Sequence, residues 1–190
     1  MYTTHVTVHE DFGKVKEKIS GLLAHKQPVL LAVDGYGGAG KSTFAAKIQQ
    51  EFPGSVVITL DDFGTSRGEH SDRGRFMEQV LAPLHAGRAT KYQRYDWKKD
   101  DLADWVEVKP EGLIILEGVS MLGEDFNPYY DLRVWLDVPH EVASKRGMDR
   151  DKNVYKVDHD EKWEKIWIPG EKAYAKSEPW KRADYILKNI

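Results

Sequence analysis

Val29-Leu30-Leu31-Ala32-Val33-Asp34-Gly35-Tyr36-Gly37-Gly38-Ala39-Gly40-Lys41-Ser42-Thr43 is the stretch that decides the fold. Val29–Val33 is a continuous apolar run, as expected of a strand covered on both faces. Gly35 to Ser42 fits the pattern G-x-x-x-x-G-K-[ST], and Ser42–Glu51 reads as a helix. Strand, glycine loop and helix in that order make a phosphate cradle. The glycines let backbone N–H groups turn inward, and the helix start adds its positive end. Lys41 is placed to reach β- and γ-phosphates, Ser42 offers a hydroxyl to Mg²⁺, and Thr43 stands next to it for the α-phosphate. Gly35, Gly37, Gly38, Ala39, Gly40, Lys41, Ser42 and Thr43 therefore form the expected nucleotide-binding set.

Working outward, residues 10–25 place Val15, Ile19, Leu22 and Leu23 at helical spacing, a leading helix before the first buried strand. Pro53-Gly54 ends the helix after the loop, and Val56–Leu60 is a second buried strand. Residues 61–75 are polar and rich in Gly, Ser and Arg, too long for an ordinary connector. Phe76–His85 reads as a helix, and residues 87–110 as a polar and aromatic stretch. Leu113–Leu116 and Leu132–Val138 are further apolar runs, with a helix expected over His140–Gly147. Trp163–Lys176 reads as helical but interrupted at Pro169-Gly170, and Tyr185–Leu187 as a last strand. Short apolar strands alternating with helices predict one α/β domain over 1–190, three layers around a five-stranded parallel sheet. Residues 61–110 form an insertion, and residues 145–160 a charged segment suited to a lid.

Composition narrows the chemistry. With 28 basic and 31 acidic side chains the net charge is −3, which argues against bulk nucleic acid or an anionic membrane as main partner. Cysteine is absent, which removes disulfides, iron–sulfur clusters and thiol catalysis. Of the seven histidines only His5 and His9 stand at His-x-x-x-His spacing, without the glutamate of a His-Glu-x-x-His motif, and a histidine metal site is not expected. The N-terminus lacks the pattern of a secretion signal, and no apolar run approaches the ~20 residues that span a bilayer. The expectation is a cytoplasmic protein, monomer or homo-oligomer, with a small-molecule partner.

Asp61 and Asp62 directly follow the second strand and Glu117 the third, at the carboxyl edge where parallel sheets bind ligands. A carboxylate there can hold Mg²⁺ or orient an acceptor hydroxyl. Neither Asn-Lys-x-Asp nor Leu-Ser-Gly-Gly-Gln occurs, which disfavours a guanine-specific GTPase and a transport ATPase. Val33-Asp34-Gly35 into the loop, Leu60-Asp61-Asp62-Phe63, Tyr95-Asp96-Trp97, Leu116-Glu117-Gly118-Val119 and Arg146…Arg150-Asp151 come in a telling order. In that order they resemble the uridine kinases and their relatives, a P-loop group that includes pantothenate kinase and phosphoribulokinase. The resemblance covers roughly residues 28–190.

It implies an ATP- and Mg²⁺-dependent phosphotransferase with an alcohol acceptor. It implies Asp61 as general base toward the acceptor hydroxyl and neighbour of the metal, with Asp62 matching a serine beside it. Asp96, next to Tyr95, matches an aspartate that holds ribose hydroxyls. Glu117 matches the Mg²⁺-associated acid, and Arg146 and Arg150 match lid arginines over the phosphates. Two positions depart from the pattern: Gly64 stands where a tyrosine is expected, and Trp97-Lys98-Lys99 where His-Pro-Asp is expected. Both fall on the acceptor side.

Other clusters admit two readings. Arg67, Arg73 and Arg75 suit an anionic acceptor or a solvated loop, and Tyr92, Tyr95 and Trp97 suit a stacking wall or core packing. Trp163 and Trp167, four apart, suit core or lid-hinge packing, with adenine stacking as the alternative. Three functions follow: a kinase of a nucleoside-like acceptor; a kinase of a nucleotide, sugar acid or pantothenate-like acid; or a nucleotide-binding regulator or ATPase without a small acceptor.

Overall fold

Each buried strand ends in a polar residue at the same edge of one sheet. The computed structural model describes residues 5–6, 8–65 and 71–188, with side chains from residue 12 onward. The chain begins with β1 (His5–Val6), helix α1 (Val8–Leu23), β2 (Val29–Asp34) and α2 (Lys41–Glu51). It continues through β3 (Val56–Thr59) and a 3₁₀ turn, Leu60–Phe63. Helix α3 follows, Arg73–Phe76 running through a wider turn at Met77–Leu81 into Ala82–His85. Then come β4 (Thr90–Asp96), β5 (Asp101–Val108), β6 (Leu113–Glu117) and β7 (Leu132–Asp137). Helix α4 covers His140–Arg150 and a wide turn, Asp151–Tyr155. Helix α5 joins Asp160–Lys162, Trp163–Trp167 and Ile168–Ala175, and β8 (Tyr185–Lys188) closes the chain.

The main sheet is parallel, in the order β3-β6-β2-β7-β8, as the alternation of strands and helices predicts; the two-residue β1 adds to its edge beside β8. All six residues of β2 are buried because both faces are covered. Leu30 and Ala32 pack with Phe63, Phe76, Leu81, Leu84 and Phe126 on one face. Leu31 and Val33 pack with Val15, Ile19, Phe44 and Ile48 of α1 and α2 on the other. Register fixes the working edge: Val33 lies beside Glu117, and Glu117 beside Thr59. The glycine loop, Glu117 and the turn bearing Asp61 thus leave the sheet side by side.

One expectation is extended and one corrected. Within the polar and aromatic stretch, to which the sequence reading assigns no regular structure, residues 90–108 form an antiparallel hairpin. Tyr92 and Tyr95 face inward, with a register shift between Gln93 and Tyr95. Pro169-Gly170 does not interrupt the last helix. The preceding turn is wound wider, Ile168 N–H bonding back to the Trp163 carbonyl, and the proline follows that change of bonding pattern. Among the described residues no helix is long and apolar enough to cross a membrane.

Candidate active site

Asp34, at the end of β2, is fully buried and ties the loop to its surroundings. It accepts N–H bonds from Gly35 (2.7 Å), Ser120 (3.1 Å) and Leu122 (2.7 Å), and an O–H bond from Tyr174 (2.6 Å). Burial pushes its carboxyl above the ordinary aspartate value against the pull of those donors. Gly38 then has φ +82°, and a Cβ there would lie 2.1 Å from the Ala143 carbonyl oxygen. Only glycine lets the loop pass this close under α4. Gly40 caps α2 with no side-chain acceptor, so the first turn keeps its amides for a ligand. The Lys41 side chain lies along the loop, its Nζ donating to the carbonyls of Gly35 (3.0 Å) and Tyr36 (2.9 Å).

The acids come together as the strand ends predict. Ser42 Oγ donates to Glu117 Oε1 at 3.1 Å. The Thr59 hydroxyl serves both neighbours, bonding the Glu117 carboxylate and accepting from Asp61 N–H at 3.2 Å. Burial pushes the Glu117 carboxyl upward, Lys41 opposes this, and the Asp61 charge adds to it. Asp61 itself is exposed, whereas Asp62 turns inward and accepts the Tyr92 hydroxyl at 3.0 Å. Burial also raises the Asp62 carboxyl. Of the two, Asp61 stays exposed near enough for its charge to act on Glu117, and Asp62 fastens the hairpin. Thr43 is exposed on the first turn of α2.

The two departures from the family pattern meet in space. A Cβ at Gly64 would lie 2.6 Å from the Trp97 ring and 2.7 Å from the Tyr95 ring. The indole at 97 fills the room that a side chain at 64 would need, and its Nε1 donates to the Asp61 carbonyl at 3.0 Å. A side chain at 64 and the indole at 97 would compete for the same space.

Several expected contacts are otherwise engaged. Asp96 Oδ1 accepts from the Lys98 and Lys99 amides, 2.9 and 3.2 Å, so the carboxylate caps the hairpin turn. Those donors hold it below the ordinary aspartate value. Tyr95 is buried and bonds Asp100 through its hydroxyl. Arg73, expected at the acceptor, instead binds Ser120 and Asp125 and lies 3.8 Å over the Phe126 ring. Arg75 donates to the Gln93 carbonyl and lies over Phe63. Arg67 lies outside the described residues. Tyr92 stacks on Phe63, so of the three aromatics only Trp97 presents a half-exposed ring.

On the segment after β7, Arg146 is exposed, and Arg150 pairs with Asp151 at 2.9 Å. The buried Asp151 carboxylate also accepts from Trp163 Nε1 (2.9 Å) and contacts His159 Nδ1 (3.3 Å). Trp163 is buried against Gly37 and Gly147, edge-on to Trp167, which is the packing reading of that pair. Sequence reasoning missed Asp34, Glu171 and Tyr174. For Asp34 the available signal was an acid closing an otherwise apolar strand.

The sequence pattern of the "Phosphoribulokinase / Uridine kinase family" matches residues 69–166. A uridine kinase of Ureaplasma parvum is 26% identical over 147 residues, 67% of this chain and 71% of that protein. A solved structure from Bacillus stearothermophilus, described as a possible uridine kinase, superposes with a TM-score of 0.65 at 20% identity. It covers 92% of this chain and 99% of that one. A D-glycerate 3-kinase from Cryptococcus neoformans superposes with a TM-score of 0.59 at 16% identity, over 86% and 87% of the two chains. These two likenesses are of fold. With more than half of its length matched to the family pattern, the chain belongs to the phosphoribulokinase / uridine kinase family.

Proposed function

We propose that the chain is an ATP-dependent kinase that phosphorylates a hydroxyl of a small, nucleoside-like acceptor. The observation that carries this is the Glu117 carboxylate beside the glycine loop, bonded by the Ser42 and Thr59 hydroxyls, with Asp61 held next to it by its backbone N–H on Thr59. Mg²⁺ fits this donor set. The ion keeps most of its waters and takes one or two carboxylates with phosphate oxygens rather than an all-protein cage. Among the described residues no group of three or more histidine or acidic side chains is gathered for a metal. Ser42 and Glu117 would hold it, with Asp61 beside them; when bound it neutralises phosphate charge.

The residues divide the work. The loop amides and Lys41 hold the triphosphate, Lys41 turning from the Gly35 and Tyr36 carbonyls to the β- and γ-oxygens. The Asp61 carboxylate takes the proton of the acceptor hydroxyl as that oxygen bonds the γ-phosphorus. The bond from phosphorus to the β–γ bridging oxygen breaks, ADP leaves, and Asp61 returns the proton to solvent. Arg146 and Arg150, both on α4, bring positive charge to the phosphates when that segment closes and excludes water. The Trp97 ring, 47% exposed and pinned to the Asp61 carbonyl, offers a flat wall beside the reacting group. That wall favours an acceptor with a planar ring, and the engagement of Arg73 by Ser120 and Asp125 weakens the case for an anionic one.

Acceptor-dependent ADP release, measured across nucleosides, nucleotides, sugar acids and pantothenate-like acids, tests this. Stimulation by nucleosides is expected. Phosphorylation confined to the other pools would overturn the acceptor assignment. Steady hydrolysis indifferent to every acceptor would replace the kinase with an ATPase or regulator.

A further inference from the structure

Glu171 takes no part in the mechanism above, yet it touches the cradle. Its side chain, 5% exposed, projects from α5. Oε1 accepts the Gly37 N–H at 2.7 Å, and Oε2 lies 2.9 Å from His140 Nε2. Gly37 is the third residue of the glycine loop. The Lys41 ammonium rests on the carbonyls of the two residues before it and attracts Glu171 through space. The carboxylate therefore sits at the end of the cradle where the lysine meets β- and γ-phosphates. The same amide is roofed by α5: a Cβ at Gly37 would lie 2.6 Å from the Trp163 ring and 2.9 Å from Glu171 Oε1.

We propose that Glu171 is an internal competitor for the terminal phosphate: its carboxylate holds the Gly37 amide, and a nucleoside triphosphate gains that end of the loop by displacing it. This rests on the reading of the loop as a triphosphate site. The physical reason is charge. A loop amide offers one proton, and two anions brought to it in a poorly solvated site repel each other. A diphosphate stops short of that position and leaves the contact in place. Displacement removes the hydrogen bond by which α5 holds Gly37 and so loosens that helix, while Trp163 stays bonded to Asp151. Binding of ATP, and not of ADP, would thus be coupled to loosening of α5, and the contact discriminates between the nucleotide consumed and the nucleotide produced.

Glu171→Gln tests this. Glutamine keeps the shape and an acceptor for the Gly37 amide, removes the charge, and presents an NH₂ to His140, whose Nε2 accepts it in the other tautomer. Calorimetric titration should show MgATP binding tighter by about tenfold or more, while MgADP changes by less than about threefold. A glutamate acting only through its distant charge raises affinity for both nucleotides, so the gain must be selective for MgATP over MgADP. Should the unaltered protein bind no triphosphate, the reading of the loop fails and this inference falls with it. Should the unaltered protein bind MgATP, with the variant binding it equally or more weakly, this inference alone is overturned. The unaltered protein supplies a second measurement that does not depend on the variant folding. Amide hydrogen exchange across Trp163–Ala175 should be severalfold faster with MgATP than with MgADP. Equal or slower exchange with MgATP contradicts the displacement.

Discussion

Tyr174→Phe probes the contact that sets where the glycine loop begins. The Tyr174 hydroxyl donates to Asp34 Oδ2 at 2.6 Å, and the same oxygen accepts Leu122 N–H at 2.7 Å. Oδ1 serves the amides of Gly35 and Ser120. Phenylalanine keeps the ring and removes one hydrogen bond to a charged, fully buried group, a loss of about 1.5–3 kcal/mol. Asp34→Asn is harsher. It turns an amide NH₂ toward two donors on one side or the other; the Tyr174 hydroxyl can rotate to accept, but a backbone N–H is left unmet. We expect about 2–4 kcal/mol, tempered because the carboxylate no longer has to be desolvated. Since the charge-assisted form of this bond needs both native partners, the double variant should fall short of additivity by about 1–2 kcal/mol. For a chain of this size each kcal/mol moves Tm by about 2–4 °C, so Tyr174→Phe should melt roughly 3–12 °C lower. Urea unfolding monitored by circular dichroism gives the free energies directly. Losses under about 0.5 kcal/mol for both single variants, or strict additivity, would refute the claim that this buried carboxylate anchors the loop.

Three further outcomes are expected. Asp61→Asn should lower kcat by about a hundredfold or more while MgATP affinity moves less than about threefold, because the carboxylate acts on the reacting hydroxyl; steady-state kinetics with equilibrium binding checks both halves. Gly64→Ala should cost about 1–3 kcal/mol through its clash with Trp97 and Tyr95, and Trp97→Ala in the same chain should recover part of that loss, measured by denaturant titration. Asp96 should titrate below the ordinary aspartate value of 3.8, because the Lys98 and Lys99 amides favour its charged form. Its contribution to the hairpin is then complete above pH 3.8 and lost as pH falls through the lower folded value, which carboxyl NMR reads directly.

The parts legible in the sequence are those where one residue type has one physical meaning. β2 and β6 are bare apolar runs because both faces are covered, and β7 and the half-buried edge strand β3 still carry enough apolar residues to stand out, with the acids after them. The glycine loop was legible because backbone that must approach something closely dispenses with side chains. The hairpin was hidden for the opposite reason. One of its faces is solvated, the shift between Gln93 and Tyr95 breaks the two-residue alternation, and its turn, Trp97-Lys98-Lys99-Asp100, carries no glycine. Arg73 and Arg75 looked like an anion site because neighbours in sequence were weighed together. In space each is captured by a carbonyl or carboxylate from another element, Arg73 by the loop after β6 and Arg75 by β4. Glu171 left no trace: its partner is a backbone N–H 134 positions away, and a backbone donor has no signature in composition.

Most directly, the account stands or falls on whether the loop from Gly35 to Thr43 grips a triphosphate through its amides and Lys41. Isothermal titration of the folded protein with MgATP should show saturable binding at one site, and Lys41→Ala should abolish it while the variant's circular dichroism spectrum stays that of the folded chain. Absence of heat from the unaltered protein with any nucleoside triphosphate, or equal binding by Lys41→Ala, would contradict it.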